Sequence, residues 1–539
     1  MINAPESPAD TPGDVSMGGF HLTYSTMFAA PAELHELFER ALARVRQTEG
    51  REHALFIDGC DVFTDRKFVK RSPIDQRRIL GQFQIAGGAE VDRAMRAASD
   101  AFRGWRSTSW MERVALLHKA ARLIEERVYD IAAATALEVG KNRMEALGEI
   151  QEAADFFKIY ADQMQQGAGF DRVLPNDPIA GSPSHNRSVL KPYGVWVVIA
   201  PFNFPFALAA GPVAAALATG NTVVLKGAED TPWAGRMLAE CLRDAGLPPG
   251  VFNYLNGTGE EAGEMLIQHA LTGGITFTGS HAVGLRIAAA QTAKRRFLPV
   301  IAEMGGKNSA IVTRRADLES AATGIVRSSF GLQGQKCSAL SRLYVDEGVA
   351  DALIAAIRSK MQVLTIGDPT AANTWFGPVA TQAAYDRYAD YCRELGRGGS
   401  RILMGAEQLR VGALEHGLFC APTLAESPGD HPLWNQEMFC PIVMLRRVPD
   451  REHAMLLANR SEFGLTAGFY GAAEEIGWFF ENIEAGVTYA NRSLGATTGA
   501  WPGYQAFAGW KGSSSTGKAI GSFYYLPQYM REQSQTYIE

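Results

Sequence analysis

The chain has 539 residues, with 52 lysines and arginines against 58 aspartates and glutamates, a net charge of −6, and 46% apolar residues. At roughly 100–200 residues per domain this is material for two to four domains with sizeable cores, and the mild charge argues against nucleic acid as a main partner. Six cysteines, at 60, 241, 337, 392, 420 and 440 and with no CxxC pair, argue against a disulfide framework and a cysteine-built zinc site and imply reduced cytosolic thiols.

Residues 1–18 read as an exposed tail. Glu6, Asp10, Asp14 and scattered prolines interrupt any signal-peptide core. Apolar residues then recur at helical spacing over 34–46, 91–103, 114–128 and 150–164. The segment 171–190 loses that period, carries Pro175, Pro178 and Pro183, and reads as a hairpin leaving the body of the protein. No charged residue occurs from 195 to 225, a run longer than the about 20 residues of a membrane span. Pro201, Asn203, Pro205, Gly211, Pro212, Gly220 and Asn221 punctuate it, so strand, turn, helix and strand in a soluble protein is the better reading.

From there strands and helices alternate. Strands are expected over 195–199, 222–225, 251–255, 275–277 and 298–301, and helices over 207–218, 233–244, 260–269 and 283–293. That order predicts an α/β fold with a parallel sheet wound on both faces. A second alternation has strands at 310–312 and 343–345 and helices at 318–330 and 349–363, and α/β material continues to about 490. The aromatic run Phe523-Tyr524-Tyr525-Leu526, followed by polar residues to 537, reads as an edge strand. No internal repeat is visible.

Several residues stand where chemistry is possible. Cys337 lies in a polar loop after the 318–330 helix, and neighbouring Lys336 offers a route to a lowered thiol pKa and to nucleophilic work; a structural thiol at a helix start is the bland alternative. Glu303 ends a strand before Gly305-Gly306 and suits a general base, or an ordinary capping carboxylate. Asn203 sits in a turn where its amide can meet an oxyanion, or merely satisfy backbone. Gly257-Thr258-Gly259 with Gly263, and Thr278-Gly279-Ser280, are strand-to-helix turns that suit phosphate, although neither fits GxGxxG.

Together these elements resemble the aldehyde dehydrogenase superfamily over nearly the whole chain. Pro201-Phe202-Asn203-Phe204-Pro205 is similar to its oxyanion turn, Lys226-Gly227-Ala228-Glu229 to its adenosine-ribose loop, and Phe277-Thr278-Gly279-Ser280 to its pyrophosphate segment. Glu303-Met304-Gly305-Gly306-Lys307 resembles the general-base segment, Gly334-Gln335-Lys336-Cys337 the nucleophile segment, and Glu437-Met438-Phe439 the nicotinamide-ribose segment. Within the superfamily, the stretch from Gly334 to Arg342, Arg71-Ser72-Pro73-Ile74-Asp75, and the close from Tyr529 to Thr536 are most similar to 1-pyrroline-5-carboxylate dehydrogenases.

The resemblance implies a Rossmann-like NAD-binding domain (195–303, with the helical 19–174), an α/β catalytic domain (304–510), and a small β oligomerisation flap (175–194 with 511–539). It implies oxidation of an aldehyde, glutamate γ-semialdehyde first, to the acid by a cytoplasmic homo-oligomer. Cys337 would be nucleophile, Glu303 base and Asn203 oxyanion donor. NAD, with NADP possible, would meet Ala200, Pro201, Phe202, Lys226, Glu229, Gly257, Gly259, Gly279, Ser280, Met304, Gly305, Glu437 and Phe439. Lys336, Ser338, Gly495, Ala496 and Phe507 would hold the substrate, and no metal is needed.

The chain also departs from the pattern. Gly227 replaces a usual proline, Cys440 a glycine, and Gln505-Ala506-Phe507-Ala508-Gly509 a Pro-Phe-Gly-Gly. The preceding 500–504 is extra material in which Trp501 or Tyr504 is expected to reshape the pocket. A different aliphatic or aromatic aldehyde, transfer to CoA, or a catalytically silent homologue are the competing readings; Glu303 argues against the second, and Cys337, Glu303 and Asn203 together against the third.

Overall fold

In the computed structural model, which describes residues 22, 23, 26, 30–178, 181, 184–293, 297–493 and 501–538, the charge-free run from 195 folds as strand Val195–Ile199, a turn, helix Ala207–Ala218 and strand Thr222–Lys226. Both strands are apolar on both faces because helices cover both sides, which is what removes any period-two alternation. The sheet they belong to runs in the order Val300–Glu303, Thr272–Thr278, Val195–Ile199, Thr222–Lys226, Phe252–Leu255. All five are parallel. Two short antiparallel strands that the sequence pattern did not reveal, Leu55–Ile57 and Cys60–Val62, extend it.

Register decides where the chemistry falls. Ile199 pairs with both Lys226 and Phe277, and Thr278 pairs with Glu303. The 201–205 turn, Lys226, the 278–280 turn and Glu303 therefore leave the sheet at one carboxyl edge, where doubly wound sheets receive ligands. A second seven-stranded sheet has Asn308–Val312 between Leu340–Asp346 and Thr466–Tyr470. All its strands run parallel except the edge strand Arg401–Met404. Three further strands, Asp171–Leu174, Ser184–Pro192 and Met530–Ile538, form an antiparallel sheet, so the proline-rich segment does form a hairpin.

Two expectations are corrected. The Phe523–Leu526 stretch is not a strand. Tyr525 is buried against Tyr160 and Tyr529, Pro527 supports a 3₁₀ turn over Leu526–Tyr529, and the strand begins at Met530. The expected helix 260–269 is a π-helical turn, Gly259–Gly263, followed by the short helix Glu264–Gln268. A further helix, Val128–Val139, leaves no amphipathic period in the sequence because it is buried on every side from Ile131 onward. Residues 1–18 lie outside the described residues.

That hidden helix and the next, Arg143–Gln166, cap the loops of the sheet from outside. Helix Ala207–Ala218 has no local side-chain cap; Glu149 accepts from Phe206 N–H (2.9 Å) and Ala207 N–H (3.2 Å) instead. Glu138 does the same for helix Pro232–Ala245, accepting from Trp233 N–H (2.8 Å) and Ala234 N–H (3.2 Å). Glu149 is fully buried and paired at 2.6 Å with Lys141, whose ammonium lies 3.4 Å from the centroid of the Phe204 ring. Removing one member of a buried pair leaves the other charge uncompensated, at about 3–5 kcal/mol. Lys141→Met should therefore lower the denaturant-unfolding free energy by that order, and the double change Lys141→Met with Glu149→Gln should recover a large part. Equal losses in the single and double variants would show that the pair is not the cause.

Candidate active site

Cys337 reaches the site from a loop that the chain builds with difficulty. Helix Leu318–Phe330 stops, and Leu332 (φ 47°), Gln333 (φ 54°) and Gly334 (φ 69°) follow in left-handed conformation. Such backbone is strained for the first two, and a side chain at 334 is impossible, because its Cβ would stand 2.4 Å from the Cys440 carbonyl oxygen. The loop is pinned by Glu145, which accepts from Leu332 N–H at 2.8 Å and faces Lys336 Nζ at 3.5 Å. From the other side Asn308 Nδ2 donates to the carbonyls of Cys337 (2.7 Å) and Ala339 (2.9 Å). Asn203 also ties in, its Nδ2 donating to Gln335 O at 2.9 Å. That uses one amide hydrogen, and the second has no acceptor among the described residues.

Two cavities meet at Cys337 and Glu303. One is lined by Glu152, Phe156, Phe204, Lys336, Ser338, Trp501 and Phe507, and the other by Pro201, Phe202, Asn203, Gly279, Ser280, Met304, Gly305, Glu437 and Phe439. Cys337, Glu303, Leu208 and Phe507 line both. The second cavity opens at the N-terminus of helix His281–Thr292, whose cap is Ser280. Gly305 has no room for a Cβ, which would fall 2.0 Å from Glu437 Oε2, so the Glu437 carboxylate closes over bare backbone and accepts from Gly306 N–H at 3.0 Å. Phe439 stands edge-on to Phe202, with centroids 5.7 Å apart. Glu229 and Gly257 line a separate cavity with Lys70, Arg71 and Thr258. Lys226 is buried beside them, its Nζ on Gly227 O at 3.1 Å. Ala200 follows in register, donating its N–H to Lys226 O. Gly259 opens the π-helical turn, with free space where a side chain would stand.

Of the residues expected to meet a substrate, Lys336, Ser338 and Phe507 gather in the first cavity, while Gly495 and Ala496 lie outside the described residues. Trp501 enters the cavity and Tyr504 turns out to solvent. Gly227 donates its N–H to Leu255 O at 3.0 Å, a bond that a proline there would lose. Glu138, Glu145, Glu149 and Asn308 were missed in the sequence; the available signal was a carboxylate inside an otherwise apolar stretch, as at 131–139.

The electrostatics correct one expectation. Lys336 directs its ammonium to Glu145, and the Cys337 thiol is held well above its ordinary pKa by burial and then by the carboxylates of Glu303 and Glu437. Burial likewise pushes Glu303 up to about 8 and Glu437 to about 7. Glu303 Oε1 has no hydrogen-bond partner among the described residues, a costly state that leaves it free for a reacting molecule.

The sequence model of the aldehyde dehydrogenase family matches residues 63–534. The chain belongs to the aldehyde dehydrogenase family. It is 38% identical over 496 residues to a 1-pyrroline-5-carboxylate dehydrogenase of Geobacillus sp. (strain WCH70), covering 91% of this chain and 94% of that relative. It is 37% identical over 494 residues to the protein of that name from Bacillus cereus (strain ATCC 10987 / NRS 248), covering 90% and 93%. The crystal structure of 1-pyrroline-5-carboxylate dehydrogenase from Thermus with bound NAD superposes with a TM-score of 0.89 at 34% identity, covering 94% of this chain and 97% of that one.

The raised Glu303 pKa has a consequence for stability. The folded state keeps a proton that the unfolded chain has released, so this group's contribution is full below about 4.5 and is lost as pH rises through about 8. Glu303→Gln should unfold at a higher temperature than the native protein at pH 8.5, with the gain shrinking toward pH 5. A gain independent of pH in thermal unfolding would contradict this origin.

Proposed function

We propose that this chain is an NAD-dependent dehydrogenase that oxidises L-glutamate γ-semialdehyde, the open form of 1-pyrroline-5-carboxylate, to glutamate in proline catabolism. The observation that carries the reading is the meeting of two cavities at Cys337 and Glu303 in a chain whose relatives bear that name.

The chain's residues suit each part of the reaction. NAD fits the cavity that runs from the capped helix at Ser280 to Cys337, with Pro201, Phe202, Gly279, Met304 and Gly305 as its walls and with Glu437 and Phe439 at the end nearer the thiol. Ala200, Lys226, Glu229, Gly257 and Gly259 are assigned to its adenosine end, and the Glu229 carboxylate disfavours a 2′-phosphate, hence NAD over NADP. The cofactor supplies hydride acceptance from the tetrahedral adduct. Cys337 Sγ adds to the aldehyde carbon as the thiolate, its proton released to solvent, and Glu303, with a pKa of about 8, is kept as the base for the step that follows oxidation. The unused Asn203 N–H and the Cys337 backbone N–H receive the developing oxyanion. After oxidation Glu303 takes a proton from water, which cleaves the Cys337 thioester to the acid.

The semialdehyde carries a carboxylate at its far end. Lys336, Ser338 and main-chain N–H groups near Gly495 and Ala496 are the donors assigned to it, with Phe507 against its carbon chain. The exposed flap edge, with Val173, Tyr537 and Ile538 on its surface, supports a homo-oligomeric enzyme, which a solely monomeric protein in sedimentation would contradict. Among the described residues no helix is long and apolar enough to cross a membrane, and we assign the enzyme to the cytoplasm.

A charge-assisted hydrogen bond is worth about 1.5–3 kcal/mol, or roughly one to two decades in kcat/KM. Steady-state NADH formation should therefore show glutamate semialdehyde preferred over propanal. Ser338→Ala should lower kcat/KM for the semialdehyde by about tenfold or more while barely changing propanal. A native enzyme that prefers propanal or an aromatic aldehyde contradicts the assignment of substrate and leaves the family chemistry standing.

A further inference from the structure

We infer that Trp501 is a specificity-determining residue: its indole, locked in place by Asp155, closes the aldehyde chamber and limits the length of the chain that Cys337 can accept. This rests on the reading of that chamber as the aldehyde site.

The 501–505 segment is a tight closed turn. Trp501 N–H donates to Gln505 O at 3.0 Å, and Gln505 N–H donates back to Trp501 O at 3.1 Å. The turn sorts its two large rings, leaving Tyr504 76% exposed and Trp501 3% exposed. Inside, the indole Nε1–H donates to Asp155 Oδ2 at 2.7 Å. Asp155 is held in turn by Gln151 Nε2 at 3.1 Å and lies near Lys158 Nζ at 3.8 Å. The ring also packs on Met144 and on Phe204, the aromatic that Lys141 fixes from behind.

A bulky side chain that lines a pocket loosely moves aside for a longer ligand. This one cannot do so cheaply. Swinging it out breaks a hydrogen bond to a carboxylate, exposes a large apolar ring, and leaves Asp155 short of a donor. With its N–H already used, the indole offers the substrate no donor and discriminates by shape alone. Apolar pockets read chain length at roughly 10–200-fold per methylene. The indole reaches from the segment bearing Phe507 to Asp155 on the helix bearing Glu152 and Phe156, and Trp501, Phe507, Glu152 and Phe156 line the same space as Cys337.

The test is a series of kcat/KM values for propanal, butanal, pentanal and hexanal with NAD, read as NADH absorbance, for the native enzyme, Trp501→Phe, Trp501→Ala and Asp155→Asn. The native enzyme should show a drop of about tenfold or more at one step of the series. Trp501→Ala should shift that drop to a longer aldehyde and raise the hexanal-to-propanal ratio about tenfold or more, and Trp501→Phe, which keeps a ring but loses the hydrogen bond to Asp155, should raise it less. Asp155→Asn, which loosens the indole, should fall between. An unchanged ratio in Trp501→Ala overturns the proposal. Should that variant not fold, Trp501→Leu takes its place, and an unchanged ratio in it and in Asp155→Asn overturns the proposal equally. Because neutral alkanals are the probe, failure of glutamate semialdehyde as substrate leaves this comparison readable, whereas failure to oxidise any aldehyde removes both readings.

Discussion

Three buried carboxylates hold this site together. Glu138, Glu145 and Glu149 lie within twelve residues of one another on consecutive helices, and each accepts at least one main-chain N–H from another part of the chain. Glu138 takes the loop after Lys226, Glu149 the turn after Asn203, and Glu145 the turn before Cys337. Buried carboxylates are expensive unless bonded and compensated. Here Lys141 and Lys336 face two of them, and Lys70 acts on the third through space. The helices Val128–Val139 and Arg143–Gln166 thus serve as a common jig for three loops.

Rigid placement allows the reacting groups themselves to remain unsatisfied. The Leu332–Gly334 backbone is strained, Glu303 keeps a bare buried oxygen, and Cys337 is held toward the neutral thiol by burial. Each of these costs stability, and each is tolerable only because the surrounding structure over-determines it. On the function proposed above, the gain is a buried junction in which Glu303 holds its proton well above the usual carboxylate range and an oxyanion would meet fixed donors.

Much of this was legible in the sequence, for identifiable reasons. The strands at 195–199 and 222–226 announce themselves as short apolar runs between turn residues, and helix Ala207–Ala218 as the only long segment between them. Cys337, Glu303 and Asn203 stand out because each ends an element in a Gly- or Pro-rich turn. Helix Val128–Val139 was hidden because complete burial erases the amphipathic period. The strand at Met530 was misplaced upstream because aromatic residues at 523–526 look like a strand while serving a core. The direction of the Cys337 shift was misjudged because adjacency of Lys336 in sequence does not give proximity of charge; Glu145, almost two hundred positions away, takes that ammonium.

The account stands or falls on a thioester at Cys337 that Glu303 releases. Rapid mixing of Glu303→Gln with glutamate semialdehyde and NAD, followed by quenching and peptide mass analysis, tests it directly. The expected record is a burst of about one NADH per active site followed by slow turnover, with the glutamyl mass on the Cys337 peptide. No burst, or a burst with the added mass on any other cysteine, would contradict it.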